Sequence, residues 1–169
     1  RAKVGISFVG LNKARSNLSE MKSWDFQEVK DVAVDQWNQL LSKARVTGTE
    51  ENKKIFYTAM YHSYLQPVNR TGENPKWVSD EPYYDDYFAI WDTFRATHPL
   101  FTLLTPSVQT DMIRSLIDIY KHDGYMPDAR SGNDNGRVQG GTDCDILIAD
   151  AMVKGLPDWR SGQLLVLVP

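Results

Sequence analysis

Residues 83–100, YYDDYFAIWDTFRATHPL, constrain the fold of this chain more than any other stretch. On the α-helical period of about 3.6 residues, they predict a helix that places Phe88, Trp91, Asp92 and Arg95 on one face. Apolar residues on the other faces predict that this helix is buried. A carboxylate and a guanidinium on a buried face must be paired or used. The stretch therefore predicts either a structural ion pair or a binding site.

Helical patterns also dominate the rest of the chain. Residues 11–22 predict a short helix or turn, and longer helices are expected at about 26–45 and 50–66. Two more are expected from Thr105-Pro106 to Gly124 and from Thr142 to Gly155, where capping residues mark the ends. Residues 1–10 alternate in the manner of a strand whose partners lie elsewhere. The sequence predicts a mainly α chain of helices joined in series.

Two long polar loops, at 67–82 and 124–141, separate these helices, and loops of this length are often functional. Residues 133–136, Asn-Asp-Asn-Gly, predict a turn within the second loop. Asp85 and Asp86 are interpreted as solvated acids at a helix start. His98 is expected to be a hydrogen-bonded core residue, and no histidine has the spacing of a metal ligand.

The composition excludes several classes of function. The chain has 169 residues, 41% of them hydrophobic, which is typical of a globular protein. A net charge of −3 gives no basic surface for nucleic acid. The single cysteine, Cys144, excludes an intrachain disulfide. No apolar run reaches the roughly 20 residues of a membrane helix. We therefore expect neither nucleic acid nor membrane as a partner.

Three sequence blocks carry a family resemblance. WDTFRATHPL resembles the WDT-aromatic-R signature of glycoside hydrolase family 92, the α-mannosidases. GYMPDARSGNDNGRVQGGTDCDILIADAMVKG is similar to the family's GWLP segment and its ADA-x-x-KG helix. The opening, VGISFV with a following A-x-x-NL, resembles the passage between the family's two domains. The resemblance extends to about Trp159, and the last letters, QLLVLVP, depart from it.

This resemblance implies a fold and a domain organisation. The family's catalytic domain is an (α/α)6 barrel that follows a β-sandwich. Residues 1–10 would be the last strand of that sandwich, and residues 11–45 would form linker helices. Residues 46–169 would be the first part of the barrel. The implied fold class is mainly α, a partial (α/α)6 barrel with one N-terminal strand.

The resemblance also implies site residues. Trp91, Asp92 and Arg95 match the block that lines the terminal mannose subsite. Asp128 stands where the family usually has a glutamate as catalytic acid, in LPEW, whereas this chain reads MPDA. Its shorter side chain puts direct protonation in doubt, and some members without the glutamate act on leaving groups such as phosphate. The alternative is a turn aspartate after proline. Arg137 and Gln139 are weaker substrate-binding candidates near this loop.

The implied function is that of a fragment of an exo-acting, inverting, calcium-dependent α-mannosidase. Its substrates would be α-mannosides of glycans, with α-1,2-linked ones a candidate, and the parent would be secreted or at the cell surface. The family's catalytic base and its calcium-supporting segment lie downstream and do not occur in this chain, so we expect no calcium ligands and no activity here. The remaining parts of the parent chain are expected partners. The alternatives are a non-catalytic carbohydrate-binding or interaction module and a different barrel glycosidase.

Overall fold

The computed structural model describes residues 2–136 and 140–156, and helices hold about 52% of this part of the chain. The predicted mainly helical fold is therefore confirmed. The helices are α1 (Leu11–Leu18), α2 (Phe26–Leu41), α3 (Glu50–Ser63), α4 (Ile90–Thr93), α5 (Thr97–Leu104), α6 (Pro106–Asp123) and α7 (Asp143–Val153). The short strands are β1 (Val68–Asn69), β2 (Tyr84–Asp85), β3 (Phe88–Ala89), β4 (Ala129–Ser131) and β5 (Asp134–Gly136).

The chain divides into two compact units, one ending at Tyr64 and the other beginning at Leu65. The domain boundaries inferred from the sequence, at residues 10 and 45, stay predictions. None of the helices among the described residues is long and apolar enough to cross a lipid bilayer.

The first unit contains α1, α2 and α3, and its helix starts follow the predicted caps. The Asp25 carboxylate accepts a hydrogen bond of 2.8 Å from the backbone of α2, and the Thr49 hydroxyl accepts one of 3.2 Å from the backbone of α3. These bonds satisfy N–H groups that have no partner within the helix. The rings of Trp37 and Tyr61 join α2 to α3, with their centroids 4.5 Å apart.

The structure differs from the prediction at the start of the chain, where residues 2–10 contain no strand. Val4 and Ile6 alternate as predicted, but each is 72% exposed. A strand requires a hydrogen-bonded neighbour, and none of the described residues forms one with this segment. Residues 2–10 therefore have the alternating pattern of a strand but belong to no sheet formed by the described residues.

In the second unit, α5 packs on both α6 and α7, and α6 supplies most of the buried side chains. Ile113, Leu116 and Ile119 of α6 are completely buried, as is Phe101 of α5. Pro106 occupies the first turn of α6, where a missing N–H costs nothing. Gly124 ends the helix with a φ of 79°, in the left-handed conformation that glycine adopts easily. Both ends of α6 are thus as the sequence predicts.

The single helix predicted over residues 83–100 is wrong. This stretch contains β2, β3, the four-residue α4 and the beginning of α5. Asp86 and Phe88 have φ values of 58° and 51°, which a right-handed helix cannot include. Pro99 lies in the first turn of α5, so it neither kinks nor ends a helix there. Tyr83, Tyr84, Tyr87 and Ile90 are buried, but on an irregular backbone, and Phe88 is half-exposed.

A small antiparallel sheet, β3-β4-β5, follows from this arrangement. Phe88 lies opposite Arg130, and Ser131 lies opposite Asp134. Gly132 and Asn133 connect β4 to β5 with φ values of 61° and 67°, the positive values that a two-residue hairpin turn requires. The turn predicted at residues 133–136 is therefore misplaced, because Gly132 and Asn133 form the turn and residues 134–136 form β5. β1 and β2 form a separate two-stranded ladder.

Candidate active site

Asp128 lies just before β4 and is held from two sides. Its backbone carbonyl accepts a hydrogen bond of 3.0 Å from the N–H of Ile90, at the start of α4. Its Oδ2 accepts one of 3.1 Å from the N–H of Gly140. Only 6% of the residue is exposed. The carboxyl is thus fixed in place rather than projecting into water as a turn aspartate would.

Gly140 is the point where three candidate side chains meet. A methyl group placed on it would lie 3.4 Å from Asp128 Cβ, 3.4 Å from Asp143 Oδ2 and 3.4 Å from Trp91 Cδ1. The indole of Trp91 therefore lies against the 124–141 loop. This arrangement places one ring and two carboxyl groups around one short backbone segment.

Asp92 and Arg95 do not form the structural ion pair that was one of the two alternatives for them. Both are exposed, and no salt bridge joins them in the part of the chain that the structure describes. Arg95 comes after the end of α4, and its guanidinium lies 5.1 Å from the ring centroid of Phe94. The short α4 explains this difference, because side chains three apart share a face only while the helix continues. Their role in sugar binding stays a prediction.

The other two predicted substrate-binding residues, Arg137 and Gln139, lie outside the described residues.

Two open clefts meet at Asp128. The first, which we call the hairpin cleft because β4 and β5 line it, has a volume of about 450 Å³. The second, which we call the Gly140 cleft, has a volume of about 610 Å³. Asp128 and Gly136 line both of them. The hairpin cleft is also lined by Phe88, Ala89, Ala129, Arg130, Ser131, Asp134 and Asn135. The Gly140 cleft is also lined by Asp123, Gly124, Tyr125, Met126, Gly140 and Gly141.

A buried guanidinium forms the floor of the hairpin cleft. The Arg130 side chain is completely buried, and its Nε lies 3.1 Å from Oδ1 of Asp85, which is also completely buried. These two atoms form an ion pair without the alignment of a hydrogen bond. Arg130 Nη2 donates a hydrogen bond of 2.7 Å to the Tyr83 hydroxyl, and Nη1 donates one to Asn135. Burial raises the pKa of Tyr83 above its usual value, against the opposing effect of Arg130.

A second arginine completes this network. Arg70 Nη1 donates a 2.9 Å hydrogen bond to Oδ2 of Asp85, and Nη2 donates one to Asp86. The Ser131 hydroxyl also donates to Asp86, over 3.0 Å. The interpretation of Asp85 and Asp86 as solvated acids is therefore wrong. Two guanidiniums offset two carboxylates, which is the condition for burying such charges.

The histidines have the structural roles that were expected. His98 is 2% exposed, and its Nδ1 lies 3.0 Å from Oε1 of Gln109. Burial lowers the pKa of His98 from its usual value. His122 stacks on Trp77 with ring centroids 4.7 Å apart.

Cys144, in the first turn of α7, ties this helix to the segment before Asp128. Its Sγ donates a 2.9 Å hydrogen bond to the carbonyl of Pro127. Burial raises the pKa of this thiol well above its usual value, and the nearby carboxylates Asp145, Asp143 and Asp128 raise it further. The thiol is therefore a packing group rather than a nucleophile.

Residues 13–168 match the model of the glycosyl hydrolase family 92 catalytic domain. The chain belongs to glycoside hydrolase family 92. A relative described as an uncharacterized secreted glycosidase of Arthroderma benhamiae is 30% identical over 163 residues. That match covers 93% of this chain and 18% of the relative.

Solved structures of the family agree with this membership. The structure of a family 92 inverting mannosidase from Bacteroides thetaiotaomicron is 31% identical, with a TM-score of 0.81 over 95% of this chain and 23% of the neighbour. The structure of a family 92 α-mannosidase from the same organism is 24% identical and has a TM-score of 0.84. That match covers 94% of this chain and 23% of the α-mannosidase chain. It has also been solved with mannoimidazole. The predicted fold class, part of a helical barrel, is consistent with both. This chain spans about a fifth of the length of these relatives.

Proposed function

We propose that this chain is part of an exo-acting, inverting α-mannosidase that removes terminal mannose from α-mannosides of glycans. The observation that carries the proposal is the convergence of Asp128, Trp91 and Asp143 around Gly140, at the meeting point of two clefts. Family membership supports the same conclusion, because one structural neighbour is named an inverting mannosidase.

In this proposal Asp128 is the general acid. Inverting hydrolysis needs one carboxylic acid to protonate the leaving oxygen and a second carboxylate to activate water on the opposite face. Asp128 is the candidate whose carboxyl borders both clefts, so it can reach an oxygen that joins a sugar in one cleft to a group in the other. Its short side chain requires the leaving oxygen to approach the carboxyl closely.

Trp91, Asp92 and Arg95 would bind the terminal mannose. The indole of Trp91 can pack on the apolar face of the sugar, while the exposed carboxylate and guanidinium can hydrogen-bond its hydroxyls. Their exposure is compatible with this role, since groups that bind a ligand must be accessible before it arrives.

The proposal assigns the catalytic base and calcium to other parts of the parent protein. Among residues 2–136 and 140–156, no three His, Cys, Asp or Glu side chains converge as metal ligands. No step above passes through a metal. We accordingly propose that the 169-residue chain alone binds mannosides without hydrolysing them. An extracellular location is proposed from the relative named as secreted.

A second candidate function is a carbohydrate-binding module without activity. The observation that favours it is the aspartate at the position where the family usually has a longer acid. Such a module would bind mannosides through the same clefts, so binding alone does not separate the two functions.

Hydrolysis separates them. The complete protein that carries these residues is incubated with an aryl α-mannoside, with calcium or with a chelator, and released mannose is measured. The proposal expects turnover with calcium, and Asp128→Asn should reduce it by about 100-fold or more, the usual contribution of a general acid. Asp35→Asn, an exposed acid of α2, is the control and should retain full activity. Binding without turnover would favour the module.

A further inference from the structure

Phe88 lines the hairpin cleft in a backbone conformation that bulky residues rarely adopt. Its φ is 51°, in the left-handed region, although the residue is neither glycine nor asparagine. Its side chain is also half-exposed, at 48% of the residue surface. Strained residues of this kind persist where the surroundings hold them, and they concentrate at ligand sites. The conformation therefore requires an explanation beyond packing.

Both neighbours of Phe88 are anchored. Tyr87 is 3% exposed, and its hydroxyl donates a 3.0 Å hydrogen bond to the carbonyl of Met112. Ile90 is completely buried and is bonded through its N–H to Asp128. Phe88 itself lies opposite Arg130 in the β3–β4 ladder. The backbone on each side is thus fixed, and the ring is kept at the wall of the cleft.

The walls of the hairpin cleft differ in chemistry. Phe88 and Ala89 supply apolar surface, whereas Ser131, Asp134 and Asn135 of the hairpin supply hydroxyl, carboxylate and amide groups. A pyranose has an apolar face and a rim of hydroxyls. Its apolar face can therefore pack on the apolar wall while its hydroxyls hydrogen-bond to the polar wall. The volume of about 450 Å³ falls in the range of about 300–1,000 Å³ that is typical of small-molecule sites.

The position of Asp128 relates this cleft to the reaction. A general acid of a glycosidase flanks the bond between two groups, the sugar that is released and the leaving group. Asp128 borders one cleft on each side, and Trp91 lies beside Gly140, which lines the second of them. If the terminal mannose is bound next to Trp91, the hairpin cleft remains for the leaving group.

We infer that the hairpin cleft is the subsite for a leaving-group sugar, and that Phe88 is the platform on which this sugar packs. This inference rests on the proposed function for the direction of cleavage. A second sugar fits this site because it offers an apolar face to Phe88 and hydroxyls to the polar hairpin, whereas an aryl group has no hydroxyls for the hairpin to bind.

The test compares two substrates of the complete protein. The α-linked mannobioses carry a sugar in the hairpin cleft, whereas α-mannosyl fluoride places only a small ion there. Phe88→Ala and Phe88→Gly should lower the ratio of kcat/KM for mannobiose to kcat/KM for the fluoride by about tenfold, the value of one good aromatic contact. Phe88→Trp should restore the ratio. Val78→Ala, which removes another exposed apolar side chain, is the control.

A binding measurement keeps this inference separate from the proposed function. Calorimetry on the complete protein uses sulfur-linked analogues, which glycosidases do not readily hydrolyse. S-linked α-mannobiose should bind more tightly than methyl 1-thio-α-mannoside, and Phe88→Ala should remove the difference. This result would stand even if the protein hydrolysed nothing, in which case only the proposed function would fail. An equal loss on both substrates or both ligands, or no loss on either, would overturn the subsite.

Discussion

Replacement of Arg130 by methionine should open the hairpin that carries Asp128. The substitution keeps most of the side-chain volume but leaves the buried Asp85 carboxylate with Arg70 as its remaining guanidinium. Removing one partner of a buried ion pair costs about 3–5 kcal/mol. We expect the lower end, about 3 kcal/mol, because Arg70 still offsets part of the charge. Local opening should then become roughly 100-fold more frequent.

Hydrogen exchange on the complete protein measures this opening directly, through peptides that cover residues 126–136. Arg114→Met is the matched control. Arg114 also pairs with a carboxylate, that of Glu81 at 2.7 Å, but both side chains are more than a third exposed. Such a surface pair contributes about 1 kcal/mol or less. If Arg130→Met changed exchange in the hairpin no more than Arg114→Met does, the buried network would not be what holds β4 and β5.

The other predictions concern a glycine and two buried titratable groups. Gly136→Ala would place a methyl 3.0 Å from Ala129 Cβ and 3.2 Å from Asp128 Oδ1, so it should displace the candidate acid and lower turnover in a mannoside assay. Cys144 should resist iodoacetamide at pH 8 in the folded protein and react on unfolding, because burial raises the pKa of its thiol; equal labelling rates would contradict this. Because the pKa of His98 is lowered by burial, the unfolded chain takes up its proton first as the pH falls below about 6.5. Stability should therefore decrease from that pH downward, and His98→Asn should remove this part of the decrease in denaturation measured at pH 7 and 5.5.

Helix ends were predictable from the sequence because their signals are local. The caps at Asp25 and Thr49, the proline at the start of α6 and the glycines at 124 and 155 all act within one turn of the helix that they bound. A side chain that bonds a backbone group two or three residues away needs no tertiary partner to be recognised. The helical fold class followed from these signals together with the family blocks.

Residues 83–100 were mispredicted because their backbone is set by distant partners. The helical period placed Phe88, Trp91, Asp92 and Arg95 on a buried face, whereas all four are exposed. It also could not show that Asp85 would bind Arg70 and Arg130, which come from other segments. Those bonds favour the irregular path through Asp86 and Phe88 over a helix. Tertiary contacts of this kind override local helix propensity, and local sequence patterns do not predict them.

The candidate site was predictable only in part. The family blocks named Trp91 and Asp128, and the structure brings both to Gly140. The spacing of Asp92 and Arg95 placed both on one buried helical face, which is wrong because α4 ends at Thr93. The helical period placed Phe88 on one face of a predicted helix. Nothing in the sequence indicates that this phenylalanine has a positive φ. Its position in the hairpin cleft depends on β4, a strand that the sequence did not predict.

The anomeric configuration of the first product tests the central claim most directly. Proton NMR follows an α-mannoside during the first minutes of hydrolysis by the complete protein, before the released sugar mutarotates. The account predicts that β-mannose appears first, because an inverting acid and base act on opposite faces of the sugar. It also predicts no product from the 169-residue chain alone. First appearance of α-mannose, or hydrolysis by the isolated chain, would contradict it.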